Sequence, residues 1–211
     1  HAVKTKTEEP SSSPAASSVS SYLYDPFGRE LGEEKEGAHI RSISRLNRFN
    51  LPDEMDAAGQ IVRFLYNTAG ERVSKENQKT QEKMIYHGSL YERRMDGQEE
   101  KHFLNLFATE GSIGRLVYDP AQSDYEVQFL ETDHRGSTEL VLDENGMELA
   151  RHFYSPFGIP LAHTYADELG DPTDPTLRFA GHDFEPDIGL YNMQARLFDP
   201  SRRRFIGASG L

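Results

Sequence analysis

Val62-Arg63-Phe64-Leu65-Tyr66-Asn67-Thr68-Ala69-Gly70 is the stretch that decides the fold class of this chain. Val62, Phe64 and Tyr66 recur at every second position, the period that sets side chains on one face of a β-strand. Asn67 then opens a turn. Its side chain can bond backbone two residues on, and Gly70 can take the left-handed conformation that ends a type I turn. The same phrase recurs as Tyr24-Asp25-Pro26-Phe27-Gly28, Met55-Asp56-Ala57-Ala58-Gly59, Leu142-Asp143-Glu144-Asn145-Gly146 and Tyr154-Ser155-Pro156-Phe157-Gly158. In two of these Pro presets φ at the second position. Leu140 and Leu142 share a face ahead of their turn, and Asp96-Gly97 adds a tight turn of the two-residue kind. The expectation is an all-β chain of successive antiparallel hairpins.

Composition bounds what such a chain can be. Of 211 residues 36% are hydrophobic, none is Trp, and the mean hydropathy is -0.70. Twelve Phe and ten Tyr suit strand faces, so the expected core is thin and extended. Hairpin chains also need their edges paired, which points to a piece of a longer sheet or shell. Thirty-five acidic against 23 basic residues give a net charge of -12, which opposes nucleic-acid and anionic-membrane binding. The basic runs Arg41, Arg45, Arg48 and Arg202 to Arg204 read as solvated or salt-bridged strand faces. With zero Cys there are no disulfides and no thiolate chemistry. No apolar stretch reaches the roughly 18 residues a membrane span needs, and no signal peptide is visible at the start.

Residues 1–20, rich in Ser, Pro and charge, read as a flexible linker, and the abrupt start suggests a piece of something longer. Residues 21–161 carry the hairpin phrases, interrupted by a charged loop at 33–37 and a polar connection at 74–83. Residues 162–177, with two Asp-Pro turns, read as a surface loop. Residues 178–211 form a last module.

Two long signatures give the chain a family resemblance. Leu130-Glu-Thr-Asp-His-Arg-Gly-Ser-Thr138 leads to the hairpin at Tyr154-Ser-Pro-Phe-Gly158. Arg178-Phe-Ala-Gly-His182 is followed by Gly189-Leu-Tyr191, Ala195-Arg196, Asp199-Pro200 and Arg204-Phe205-Ile206. Together with the repeated phrase they resemble the tyrosine-aspartate repeats and the repeat-associated core of Rhs proteins, over residues 22–207. The resemblance implies a spiralling sheet forming a cocoon, with residues 178–211 as a cap. It implies an enclosed C-terminal toxin, partnership with the rest of the shell and with secretion-apparatus proteins, and export of a protein made in the bacterial cytoplasm. It also implies self-cleavage by Asp residues of two Asp-Pro phrases. Asp187 and Asp199 are the candidate carboxylates, Arg196 and Arg204 the charge partners, and Gly210-Leu211 the cleavage edge. Two departures stand out: Arg203 replaces a usual Gly, and Ser209 occupies the position of an expected Asp.

Other chemistry is thinly represented. Asp133, His134 and Ser137 supply the residue types of a hydrolase triad, but five consecutive positions cannot set base against nucleophile; they read as a turn with Gly136 supplying its geometry. The eight His residues show no metal-ligand spacing, and no cofactor is expected. Aromatic strands leave a second functional class open, an extracellular adhesion or carbohydrate-binding module.

Overall fold

A computed structural model describes residues 4–7, 19–109, 111–165, 178–194 and 196–206. The first strands are β1 (Lys4–Thr7), β2 (Val19–Tyr24), β3 (Glu30–Lys35), β4 (Ala38–Leu46), β5 (Pro52–Ala57), β6 (Gln60–Tyr66) and β7 (Arg72–Asn77). Then come β8 (Lys83–His87), β9 (Tyr91–Asp96), β10 (Glu99–Ala108), β11 (Gly111–Asp119), β12 (Asp124–Thr132), β13 (Thr138–Leu142), β14 (Glu148–Tyr154) and β15 (Pro160–Tyr165). These fifteen strands form one antiparallel sheet in strict chain order, each paired with the next. A second antiparallel sheet follows in the same manner: β16 (Arg178–Phe179), β17 (His182–Glu185), β18 (Leu190–Met193), β19 (Arg196–Asp199) and β20 (Arg204–Ile206). The described residues are all-β, as the hairpin phrase predicts.

The phrase works through its first residue. Asn67 Oδ1 accepts from the Ala69 and Glu71 amides at 2.9 and 3.0 Å, while Gly70 N donates to Asn67 O. Asp25 repeats the pattern with Phe27 and Arg29, and Asp143 with Asn145 and Met147. The closing glycines Gly28, Gly70, Gly146 and Gly158 all have φ between +78° and +85°. Asn47 builds the same turn with Asn50 at φ +60° in place of glycine, a repeat the Gly-based pattern missed. Met55 to Gly59 departs from the pattern: Ala57 pairs with Gln60, so only Ala58 and Gly59 turn the chain, both at positive φ. At Asp96 the turn likewise sits one residue later, on Gly97 and Gln98, because Asp96 pairs with Glu99.

Several segment boundaries differ from the sequence reading. Within the expected linker, Lys4–Thr7 pair with Val19–Tyr22 as β1. Glu33–Lys35 and Ser74–Asn77, read as loop and connection, are strand residues. Lys75 and Asn77 read as loop because their partners, Glu185 and Asp187, arrive more than a hundred residues later, whereas Glu33 is met by Arg41 of the next strand. Residues 162–165 extend β15, and the rest of the expected surface loop, 166–177, lies outside the described residues. So do Ser209, Gly210 and Leu211.

The five-stranded module lies against one face of the long sheet. Met55, Ala57, Val62 and Phe64 from β5 and β6 pack with Ile188, Leu190, Leu197 and Ile206 of the module. Alternation is clean in β6, where Val62 and Phe64 are buried and Ile61, Arg63 and Leu65 face away. A smaller cluster, Leu130, Val141 and Ala150, continues the same face across β12, β13 and β14. Full burial of a side chain such as Leu190 or Tyr191 is worth roughly 1.5–3 kcal/mol, so this thin core holds the module by few contacts. Much of the remaining contact is ionic.

Candidate functional site

The face of the long sheet that receives the module is lined with charge, and strand register explains why. Tyr22, Glu33, Arg41, Ala57 and Gln60 are successive cross-strand partners over β2 to β6. Phe64, Lys75, Met84 and Arg94 continue the row over β6 to β9. Each therefore points to the module side. The module answers Arg41 with Asp199 and Lys75 with Glu185.

Glu185, at the end of β17, is 5% exposed and lies between Arg72 Nη1 and Lys75 Nζ, the latter at 2.9 Å. Burial would raise its carboxyl, but Lys75 and Arg72 more than offset this and hold it below the usual glutamate range. Desolvation would lower Lys75, but Glu185, with Tyr86 and the nearby Asp187, raises it instead. Arg72 also stacks on Phe64, 4.4 Å from the ring centre.

Asp187, in the turn between β17 and β18, contacts Lys75 Nζ at 2.6 Å and accepts from Asn77 Nδ2 at 2.7 Å. Asp199, at the end of β19, is fully buried and meets Arg41, which also binds Glu33 at 2.7 Å. Asp199 Oδ1 caps its own turn, accepting from Ser201 N at 2.9 Å, Ser201 Oγ at 2.6 Å and Arg202 N at 3.1 Å. Burial pushes Asp199 up, yet Arg41 and these donors hold it low. A carboxylate so held stays ionised and cannot donate a proton near neutrality.

Charge also runs the other way. Arg202 reaches both Glu30 oxygens at 2.6 Å and stacks on Tyr22 at 3.8 Å. Arg178 bonds Asp183 at 2.6 Å and reaches Glu92 at 3.3 Å. Glu92 is raised by burial and by Asp183, an effect Arg178 and Asn105 only partly oppose. Neutral ties complete the joint: Tyr191 Oη donates to Gly158 O at 2.6 Å, Ala180 N to Ser137 Oγ at 3.0 Å, and Gly181 N to Gly136 O at 2.9 Å. Two of the repeated turns are thus module contacts as well as turns.

Of the four residues expected near a self-cleavage centre, Asp199 and Arg204 are cross-strand partners in β19 and β20 and Arg196 opens β19, yet each of the four has a different setting. Asp187 binds β7 and Asp199 binds β4; Arg196 stacks on the Phe205 ring at 3.8 Å, and Arg204 is exposed. Asp133 accepts from Arg135 N and Ser137 N, both at 2.8 Å, and Ser137 Oγ is engaged with the module, so these residues form a turn. Among the described residues no cluster of His, Cys, Asp and Glu could hold a metal ion. Glu30, Arg72, Lys75, Glu92 and Glu185, which carry much of the joint, were not singled out in the sequence. Their only signal is a charged residue at an inward strand position.

These features define a class: an open hairpin-by-hairpin β-wall with a small β-module fastened to one face by buried ion pairs. Proteins of known structure share the fold. The crystal structure of TcdB2-TccC3 without its hypervariable C-terminal region matches 91% of this chain with a TM-score of 0.66, at 14% identity and over 12% of that chain. The crystal structure of TcdB2-TccC3-Cdc42 matches the same share at a TM-score of 0.64. No family model matches the chain. The tRNA3(Ser)-specific nuclease WapA of Bacillus spizizenii is 26% identical over 148 residues, 68% of this chain and 6% of its own length. Salivary gland surface protein 1 of Aedes aegypti is 37% identical over 96 residues, 46% of this chain and 3% of its own. The chain therefore spans a small fraction of these relatives.

Proposed function

We propose that this chain is a wall-and-cap segment of an Rhs-type shell that encloses a toxin domain of the same polypeptide, in an exported effector. The observation that carries the reading is the module itself. A five-stranded sheet fixed to one face of a fifteen-stranded wall by buried ion pairs is what a cap needs, and the likeness to TcdB2-TccC3 supports it. One similar protein is a nuclease of far greater length, which supports a wall built to accompany a separate active domain.

The same proposal carries release by self-cleavage at the Gly210-Leu211 edge, with Asp187 and Asp199 as candidate carboxylates. Their buried cation partners also support a holding role, so the variants must separate the two. In the full-length protein, chain splitting at Leu211 on a denaturing gel that is lost in Asp187→Asn or Asp199→Asn, with the module still protected, assigns the chemistry. Enclosure is tested by protease. The chain downstream of residue 211 resists digestion while the wall is intact and becomes digestible once mild denaturant opens it; free digestion under native conditions contradicts the proposal.

A further inference from the structure

A cavity of about 700 Å³ lies between wall and module, lined by Arg72, Tyr86 and Glu92 of the wall and by Arg178, Asp183 and Asn192 of the module, among others. It is within the roughly 300–1,000 Å³ of ordinary ligand sites. Two groups in its lining lack what buried polar groups require. The Arg72 side chain is 5% exposed, and with the Tyr66 hydroxyl close by its Nε and Nη2 still make no well-aligned hydrogen bond among the described residues; the buried Ser112 Oγ makes none either. An unmet buried donor is unfavourable, and these two mark a place for acceptors.

The lining carries acceptors too. Glu71, Glu92 and Asp183 line it together with Arg72 and Arg178, and Glu92 and Asp183 pair with Arg178, so carboxylates outnumber guanidiniums. That balance disfavours a phosphate or another anion. A group that accepts from Arg72 and Ser112, donates to the carboxylates and brings no net negative charge has the chemistry of a peptide backbone. Carbonyl and N–H alternate along an extended chain, with a residue every 3.2–3.4 Å or so. Tyr86 offers a ring for a side chain to pack on.

We propose that this cavity holds an extended segment of the enclosed polypeptide, whose carbonyls accept from Arg72 and Ser112 and whose amides or basic side chains meet Asp183 and Glu92. The assignment rests on the shell reading above. It makes the joint between wall and cap an anchor for the cargo as well as a closure.

The test uses the full-length protein with a benzophenone amino acid at Ser89 or Ala69, two exposed positions lining the cavity, and at Leu65, which faces away from the module, as control. On irradiation, both lining positions yield crosslinks mapped by mass spectrometry to sequence beyond residue 211, and Leu65 yields none. Crosslinks only to wall or module residues, or none at either position, overturn the anchor, the cavity then holding solvent alone. Protease treatment of the same preparation separates the two ideas. A protected downstream chain without crosslinks refutes the anchor and leaves the shell reading standing, whereas a freely digested one refutes both.

Discussion

Glu185→Gln strikes the joint at its most buried point. The wild-type carboxylate meets Arg72 and Lys75, and all three side chains are 5–7% exposed, so solvent screens little of the interaction. Removing one partner of a buried ion pair costs about 3–5 kcal/mol, because the other charge stays buried without compensation. Lys75 keeps Asp187 at 2.6 Å, so only Arg72 loses its carboxylate and the lower figure, about 3 kcal/mol, applies. In hydrogen exchange followed by mass spectrometry, that is an increase on the order of a hundredfold in the opening of peptides spanning β17 to β19. The double variant Arg72→Met/Glu185→Met removes both charges and recovers most of the loss. Glu148→Gln breaks a pair with Arg151 that is more than 40% exposed on each side, and leaves module exchange unchanged. If Glu185→Gln raises module exchange less than about fivefold, roughly 1 kcal/mol, the pair behaves as a surface contact and the latch argument fails.

Other outcomes follow from the same geometry. Gly28 and Gly158 share the same turn, but a Cβ at Gly28 meets open space while one at Gly158 falls 2.6 Å from Phe179 Cδ1. Gly28→Ala is expected to cost only the left-handed backbone penalty, about 1–2 kcal/mol. Gly158→Ala adds overpacking of about 1–3 kcal/mol and loosens the module; equal denaturation midpoints for the two would contradict the contact. Tyr191→Phe leaves the Gly158 carbonyl without its buried donor and is expected to destabilise by about 1–3 kcal/mol, read from the same denaturation curves. Docking should also depend on acid. Glu185 and Asp199 have lowered folded values, so their stabilisation is complete above the unfolded carboxylate range and is lost as pH falls through the folded values. Glu92 and Glu33 are raised, take up protons first and favour the folded form as they do so. Module protection should thus hold from neutrality to about pH 5 and fall only below about pH 4; release near pH 6 would mean that another group governs docking.

The turns were the legible part of the sequence. Asp25, Asn67, Asp143 and Ser155 act on backbone within four residues, so local chemistry suffices to read them. Asn47 escaped only because Asn50 stands where glycine was sought. The joint was illegible for the opposite reason. Lys75 and Asn77 read as loop material until Glu185 and Asp187 arrive from over a hundred residues away to neutralise or bond them, and Glu33 and Asp199 meet only through Arg41 between them. Asp199 and Asp187 have the residue type of a self-cleavage reagent, and the structure places each in an ion pair on a different strand of the wall.

A cryo-electron microscopy reconstruction of the full-length protein tests the central claim most directly. The account predicts a closed shell whose wall carries residues 178–206 on its inward face, against β4 to β7, with further density enclosed. An open ribbon, or a shell with residues 178–206 on its outer surface, would contradict it.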